Sequence, residues 1–497
     1  EGNPLLHVAM DAKRRELMGD LIRFGADPGQ LNAGGETTLH AAIRNDWLDL
    51  IPSLVTAGAD PNQPAPSQLP PLAQAVRDGK SELVALLLRS GADPNYRHPL
   101  AGVASADSRN NPSAAELAFD SGDRALLGKF LIHRTKPETA SFNRWLWKAV
   151  ANHDCELANQ LLAHGARPDV RNAAGWLPIE VAVLQGNASL VKLLTDYGSP
   201  FGRSMHLVSM GGDTRLANLL LVLGADPDTV HPPYLERPLS LAIRGRHDML
   251  AIALIGAGAG IRFQLPEGQY PLHLAVAKTR PGIVRALLAA GADPNTPFEV
   301  PARPEFVSQV RPGVMRWALK MGRNVTLLMM AADSGNTDIA GALLRAKAKT
   351  ETWTKVGRLW PINFASRRSD VKMMRLILGR DPLKEERHIV IHLGEQRARV
   401  YDSAGNEIFN TKVSTGRKGF ATPTGEFVIT NKHRDWTSTL YDASMPYFQR
   451  LSCSDFGMHQ GVVPGYPASH GCIRVPAGNA ATLFSMTQAG DRVRIVP

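Results

Sequence analysis

The sequence predicts a two-part molecule: an all-α repeat solenoid of about eleven units over residues 1–381, a short linker at 382–387, and a small mainly-β domain over 388–497. Two observations lead there. A phrase of the type Pro-Leu-His-x-Ala recurs along the first three quarters of the chain and then stops, and beyond it the apolar spacing changes from helical to period two. The composition, 44% hydrophobic and 21% charged, is that of folded protein and excludes wholesale disorder or collagen-like order.

The repeat opens at Leu5, Thr38, Pro71, Ala114, Trp145, Pro178, Ser204, Pro238, Pro271, Leu327 and Pro361. Four residues on, a small side chain recurs ten times in eleven, as at Ala9, Ala75, Ala182, Ala275 and Ala365. Twenty residues on, eight of the eleven are Gly, usually followed by Ala-Asp-Pro. Small Ala lets a first helix approach its neighbours, Leu pairs such as Leu193-Leu194 and Leu287-Leu288 fill the stack, and Gly caps the second helix. These units resemble ankyrin repeats, which are helical hairpins that bury one apolar face on the next pair. Irregular spacing places insertions near Tyr96 to Pro112 and Thr296 to Arg323.

Several other features lose their apparent meaning inside the repeat. Gly256-Ala257-Gly258-Ala259-Gly260 is Gly-rich like a phosphate loop, but it ends a helix instead of opening one after a strand. His7, His40 and His273 share one repeat position, where an imidazole bonds the local turn, and no metal site is expected. Cys155, at a junction of repeat helices, is expected to be a packing thiol. The 56 Lys and Arg against 46 Asp and Glu give a net charge of +10, but the excess is diffuse and no nucleic-acid arm is expected. The longest apolar stretch, Met249 to Ile261, falls short of the roughly 20 residues of a membrane span. The chain opens at Glu1 without a Met or a leader, which is expected of a trimmed or mature product.

After the charged stretch Asp381 to Arg387, strands are expected at His388 to Leu393, Arg397 to Asp402, Glu407 to Ser414 and Gly425 to Asn431, with Ser403-Ala404-Gly405-Asn406 as a turn. A helix from about Ala477 to Gln488 and a strand from Arg492 to Val496 complete the domain. The chemistry concentrates in Gly457-Met458-His459-Gln460-Gly461 and Ser469-His470-Gly471-Cys472-Ile473-Arg474. A thiol close to two imidazoles offers a nucleophile, a base and a nearby positive charge that lowers the thiol pKa. Gly471 lets the backbone N–H groups around Cys472 turn toward a substrate carbonyl. Cys453 is expected to be structural. Three scattered cysteines make neither a disulfide framework nor a zinc site.

With Val413-Ser414-Thr415-Gly416, Thr422-Pro423-Thr424-Gly425-Glu426-Phe427 and Met445-Pro446-Tyr447-Phe448 in the same order, the domain resembles the L,D-transpeptidases of YkuD type, bacterial enzymes that remodel peptidoglycan. The resemblance implies Cys472 as nucleophile, His459 as its base, and His470 with the Gly471 and Cys472 amides around the oxyanion. It implies substrate contacts from Arg474, Ser469, Met445, Tyr447, Phe448 and Gln460, no cofactor, and a periplasmic or cell-wall setting for an exported protein. Its substrate would be a peptidoglycan stem peptide, the thioester on Cys472 passing to an amine, or to water in a carboxypeptidase, endopeptidase or amidase. A vestigial scaffold is the third reading. Only nine residues separate His459 from Ser469, so the loop over the cleft should be short, and Gln460 stands where many members have Gly or Ser. The repeat arm is expected to present a surface to a protein or glycan and to take no part in bond breaking.

Overall fold

The computed structural model describes residues 4–66, 68–97, 112–133, 139–232, 235–321, 324–355, 357–384, 387–438, 442–452 and 456–497. Its described residues divide into two compact units, Glu1–Ser204 and Met205–Pro497. The second unit takes in the later repeats together with the β domain.

In the first unit the helices Leu5–Asp11, Thr38–Arg44, Pro71–Arg77, Ala114–Asp120 and Pro178–Leu184 begin where the repeated phrase begins. Pro at the first helical position costs nothing there, because its missing N–H would have no partner. The small residue of each phrase is buried, as at Ala75 and Ala182. Except for Arg124–Ile132, which is followed by extended His133, the second helices close through left-handed Gly residues. After Ser81–Arg89, Gly91 (φ 94°) and Ala92 donate to the carbonyls of Leu88 and Leu87, which satisfies the last turn. One start departs from the pattern: Trp145 lies inside a longer helix, Thr139–Ala151, where its ring stacks on Phe119 at 4.8 Å.

In the second unit Pro238–Gly245, Pro271–Ala277, Leu327–Ser334 and Pro361–Ser366 repeat the same design. Lys347 takes the capping position without Gly, at φ 69°. The Gly-rich run ends the helix Asp248–Gly256, and Ala259 donates back to Leu254. The insertion after Thr296 is itself helical, at Pro304–Val307 and Val314–Met321; most of the one after Tyr96 lies outside the described residues. His7, His40 and His273 bond turns as expected: His273 Nε2 meets the Thr296 carbonyl at 3.1 Å, and burial pulls its pKa down to about 4. His206, at the same repeat offset, meets the Glu236 carbonyl at 3.1 Å. Cys155 opens the helix Cys155–Ala163 and is partly buried.

The β domain is an eight-stranded sheet: β1 Arg387–His392, β2 Arg397–Asp402, β3 Glu407–Lys412, β4 Gly425–His433, β5 Phe448–Leu451, β6 Gly457–Gln460, β7 Ile473–Val475 and β8 Arg492–Val496. Their order is β3-β2-β1-β8-β4-β5-β6-β7, with β1–β8 and β6–β7 parallel and the other pairs antiparallel. The core gathers Ile389, Ile391, Phe427, Leu451, Met458, Ile473 and Ile495 beneath the helix Ala477–Met486. The strand expected to run to Ser414 stops at Lys412, because Val413 turns to donate to Gln396 and Ser414 bridges to Arg474. The helix ends at Met486, with the Thr487 hydroxyl bonded to Leu483 and Gln449. The sequence predicts no strand at β6 or β7, and near β5 only a strand around Cys453.

The last repeat packs against this sheet. Asn363 Nδ2 donates to the Ser452 carbonyl at 2.9 Å, and the Ser452 hydroxyl meets Met374 Sδ at 2.9 Å. These groups are buried, so each bond is a fixed joint between helical hairpin and β5.

Candidate active site

The two motifs meet because β6 and β7 are parallel neighbours, with Met458 opposite Ile473 and His459 opposite Arg474. Side chains alternate along a strand, so Met458 and Ile473 enter the core while Gly457, His459 and Arg474 share the other face. Cys472 precedes β7 on that same face, and a Gly457 backbone hydrogen bond reaches its sulfur. Gly457 is required by space: a methyl there would collide with the Gln449 carbonyl.

His459 is buried, with 9% of its surface exposed. Its Nδ1 lies 2.8 Å from the Gln460 carbonyl. A carbonyl only accepts, so Nδ1 carries the proton and Nε2 keeps its lone pair. Nε2 has no partner among the described residues. The backbone of residue 460 thus orients the imidazole, and the Gln side chain is not needed for it. Phe448 backs the ring at 6.5 Å.

Burial acts on both members of the pair. It lowers the His459 pKa, with the Gln460 bond opposing and Arg474 reinforcing. It raises the Cys472 pKa, with the Gly457 bond and Arg474 pulling back. Both shifts favour the neutral form, a protonated Cys472 thiol and an uncharged His459 imidazole. Arg474 itself forms no ion pair or side-chain hydrogen bond among the described residues, so its guanidinium faces the site uncompensated.

The loop before Cys472 is braced from within. The Ser469 hydroxyl bonds the Cys472 carbonyl and takes the Gly471 N–H at 3.1 Å, and Thr422 Oγ1 donates to the Gly471 carbonyl at 2.8 Å. Gly471 holds φ at 109°. This modifies the oxyanion arrangement: the Gly471 N–H is already used, while the Cys472 N–H has no protein acceptor among the described residues. His470 is exposed and turned outward. Its Nε2 lies 2.8 Å from the Arg417 guanidinium and its ring meets Phe420 edge-on at 4.7 Å. Neither partner was anticipated, although both flank the Val413 to Gly416 phrase.

Two residues expected to contact substrate are buried instead. Phe448, 2% exposed, stacks on Trp436 and supports His459, and Ser469, 1% exposed, serves the loop. Met445, Tyr447, Gln460 and Arg474 are partly exposed. Tyr447 is held at φ 55° with its N–H on the Arg434 carbonyl and its ring edge-on to Phe484. The segment after Gln460 carries exposed Val462 and Tyr466, pinned by Ser414 Oγ on the Tyr466 carbonyl at 2.8 Å. Cys453 lies outside the described residues. The described residues contain no helix long and apolar enough to cross a membrane.

Residues 386–495 match the family model of the L,D-transpeptidase catalytic domain, YkuD, and residues 6–98 and 205–297 match that of ankyrin repeats. Among curated proteins the chain is 31% identical over 135 residues to the cyclin-dependent kinase 4 inhibitor B of Bos taurus, which is 26% of this chain and 96% of that protein. It is 29% identical over 146 residues to the cyclin-dependent kinase inhibitor 2A of Homo sapiens, 29% of this chain and 76% of that one. Similar solved structures include an L,D-transpeptidase from Mycobacterium smegmatis, with 22% identity and a TM-score of 0.21, covering 22% of this chain and 59% of that one. An L,D-transpeptidase from Stackebrandtia nassauensis shows 20% identity and a TM-score of 0.22, covering 34% and 89%. The human ASB11 ankyrin repeat domain shows 17% identity and a TM-score of 0.30, covering 56% and 98%.

Proposed function

The chain carries ankyrin repeats followed, at residues 386–495, by an L,D-transpeptidase catalytic domain of YkuD type, and from that premise we propose that it is a peptidoglycan-remodelling cysteine acyltransferase. The observation that supports this best is the set Cys472, His459 and Arg474 on one face of β6 and β7, with His459 Nε2 unbonded among the described residues and Nδ1–H fixed on the Gln460 carbonyl.

The Cys472 thiol gives its proton to His459 Nε2 as its sulfur attacks the carbonyl of the L-centre of diaminopimelate in a stem tetrapeptide. The oxyanion forms toward the Cys472 N–H. His459 returns the proton to the departing D-Ala amine, leaving a thioester. An amine then attacks it: a second diaminopimelate gives a 3-3 crosslink and a protein Lys gives anchoring. Arg474 offers a substrate carboxylate its charge. Such substrates place the enzyme outside the cytoplasmic membrane, in the periplasm or cell wall, and its repeats would hold a protein or glycan.

A hydrolase is the second reading, favoured by the nine-residue segment between His459 and Ser469, whose exposed Val462 and Tyr466 leave the acceptor side open. Incubating the purified chain with tetrapeptide muropeptides separates the readings by product mass: a dimer less one D-Ala for transfer, a tripeptide for hydrolysis. Cys472→Ala is expected to abolish both. Residual turnover within tenfold of the parent would remove Cys472 from the mechanism.

A further inference from the structure

Counted along the fold, the excess positive charge is local and not diffuse. Residues 303–380 hold 15 Lys and Arg against five Asp and Glu, a net +10 equal to that of the whole chain, leaving 41 of each sign elsewhere. The excess therefore belongs to the insertion and the last two repeats. The same segment holds both exposed Trp among the described residues, Trp317 at 43% and Trp353 at 48%, and the other six of the eight are buried or half-buried.

Charge and aromatic meet in an open cleft. A space of about 490 Å³ lies between the insertion helix Val314–Met321 and the last repeat, lined by Trp317, Gly357, Leu359 and Arg367. That volume is in the range of ligand sites, roughly 300–1,000 Å³. A methyl group on Gly357 would meet the Trp317 ring at 3.7 Å, so the loop presents bare backbone beside an aromatic surface. Trp353 lies four residues earlier on that loop, its ring tilted on Trp360 at 5.8 Å. A half-exposed indole gains from a flat apolar face laid on it, and a field of Lys and Arg draws negative charge. The matching partner is a polymer whose units have a flat apolar face and polar edges, and which carries anions. A glycan strand with carboxylate-bearing stems has all three.

The hairpin that lines the cleft is also the one joined to the sheet. Leu359 and Arg367 flank the helix Pro361–Ser366, and Asn363 within it donates to the Ser452 carbonyl. A strand held in the cleft is thus held by the same rigid element that braces β5, inside the second compact unit.

We propose that this cleft binds the glycan backbone of peptidoglycan, with a sugar ring on Trp317 and stem carboxylates on Arg367 and the surrounding basic side chains. The choice of polymer rests on the acyltransferase reading. The strand is held here and not cut, so stems reach Cys472 from a polymer that the last repeat already grips.

Co-sedimentation of the full chain with purified sacculi tests this, because it reads binding and not turnover. The parent should bind saturably at about 0.1 M salt and be released at about 1 M, where the screening length has fallen from about 10 to 3 Å. Trp317→Ala and Arg367→Glu should each weaken binding about tenfold. Both variants should keep the parent melting midpoint and the parent rate of Cys472 acylation by a carbapenem, a reagent to which this family is susceptible. Trp317→Phe, which keeps a smaller ring, should lose less than Trp317→Ala. Binding that Trp317→Ala and Arg367→Glu leave unchanged would overturn the proposal. So would tighter binding of single-stranded DNA than of sacculi with the same dependence on Trp317, which would make the cleft a nucleic-acid site. A chain that yields no product from muropeptides yet binds sacculi through Trp317 and Arg367 would count against the acyltransferase reading alone.

Discussion

At His459 and Cys472 a single cause, burial, pushes two pKa values in opposite directions, and each direction bears on the proposed mechanism. A lowered imidazole pKa keeps His459 neutral and able to accept a proton. A raised thiol pKa keeps Cys472 protonated until a base removes the proton. The difference in ultraviolet thiolate absorbance between the parent and Cys472→Ala should therefore appear only above the ordinary thiol range. Carbapenem acylation should hold a level rate between the depressed His459 value and the elevated Cys472 value, and thiolate absorbance below pH ~7 would restore the ion pair. Replacing the base tests its role directly. His459→Gln removes the acceptor for the thiol proton and should slow acylation by on the order of 10² to 10⁴. His470→Gln should cost much less, because that ring is exposed and is held by Arg417 and Phe420. The opposite ranking would exchange the two assignments.

Among the elements, those with strong periodicity could be read directly from the sequence. β1, β2 and β8 alternate between buried and more exposed residues, β3 and β4 are longer runs bounded by turns, and most repeat helices start at the Pro, Thr or Leu that opens each phrase. The strands β5, β6 and β7 are three or four residues long and lie in motif sequence whose Gly, His and Arg residues serve space and chemistry, so no alternation announces them. Cys472 and His459, the proposed nucleophile and base, stand out because both are chemically conspicuous and close in sequence to Gly. The Gln460 carbonyl was not, since every residue has one. Phe448 and Ser469 sit in recognisable phrases, yet only packing shows that they face inward. Asn363 is another such case: an ordinary polar residue of the last repeat whose amide bonds both the Trp360 N–H and, 89 positions away, the Ser452 carbonyl. Asn363→Ala leaves that buried carbonyl without its donor and should destabilise the second unit by about 1–3 kcal/mol. Chemical denaturation of the full chain measures it, and an unchanged midpoint would make the joint incidental.

For the molecule as a whole, the change of sequence texture near residue 381 and the division of the fold do not coincide. The compact unit Met205–Pro497 runs from repeats into sheet without a break, and the helix Val371–Ile377 packs on β4 while Met374 meets Ser452 on the buried side. A domain cut at the texture change would expose that face of the sheet to water and strand the Ser452 carbonyl. A fragment beginning at Val325, which keeps the helices Leu327–Ser334 through Val371–Ile377, retains the joint. It should exceed a fragment beginning at Arg387 by roughly 2–5 kcal/mol in unfolding free energy, the sum of one buried hydrogen bond and one or two apolar side chains. Both fragments should still be acylated at Cys472, since every group of the thiol–imidazole pair lies in β6, β7 and the loop between them, but the shorter one should lose that reactivity at lower denaturant concentration. Equal midpoints would show that the last repeat merely rests on the sheet. A shorter fragment that is folded yet inert to the carbapenem would show instead that the repeat shapes the catalytic face through β5, where Arg450 and Gly457 pair.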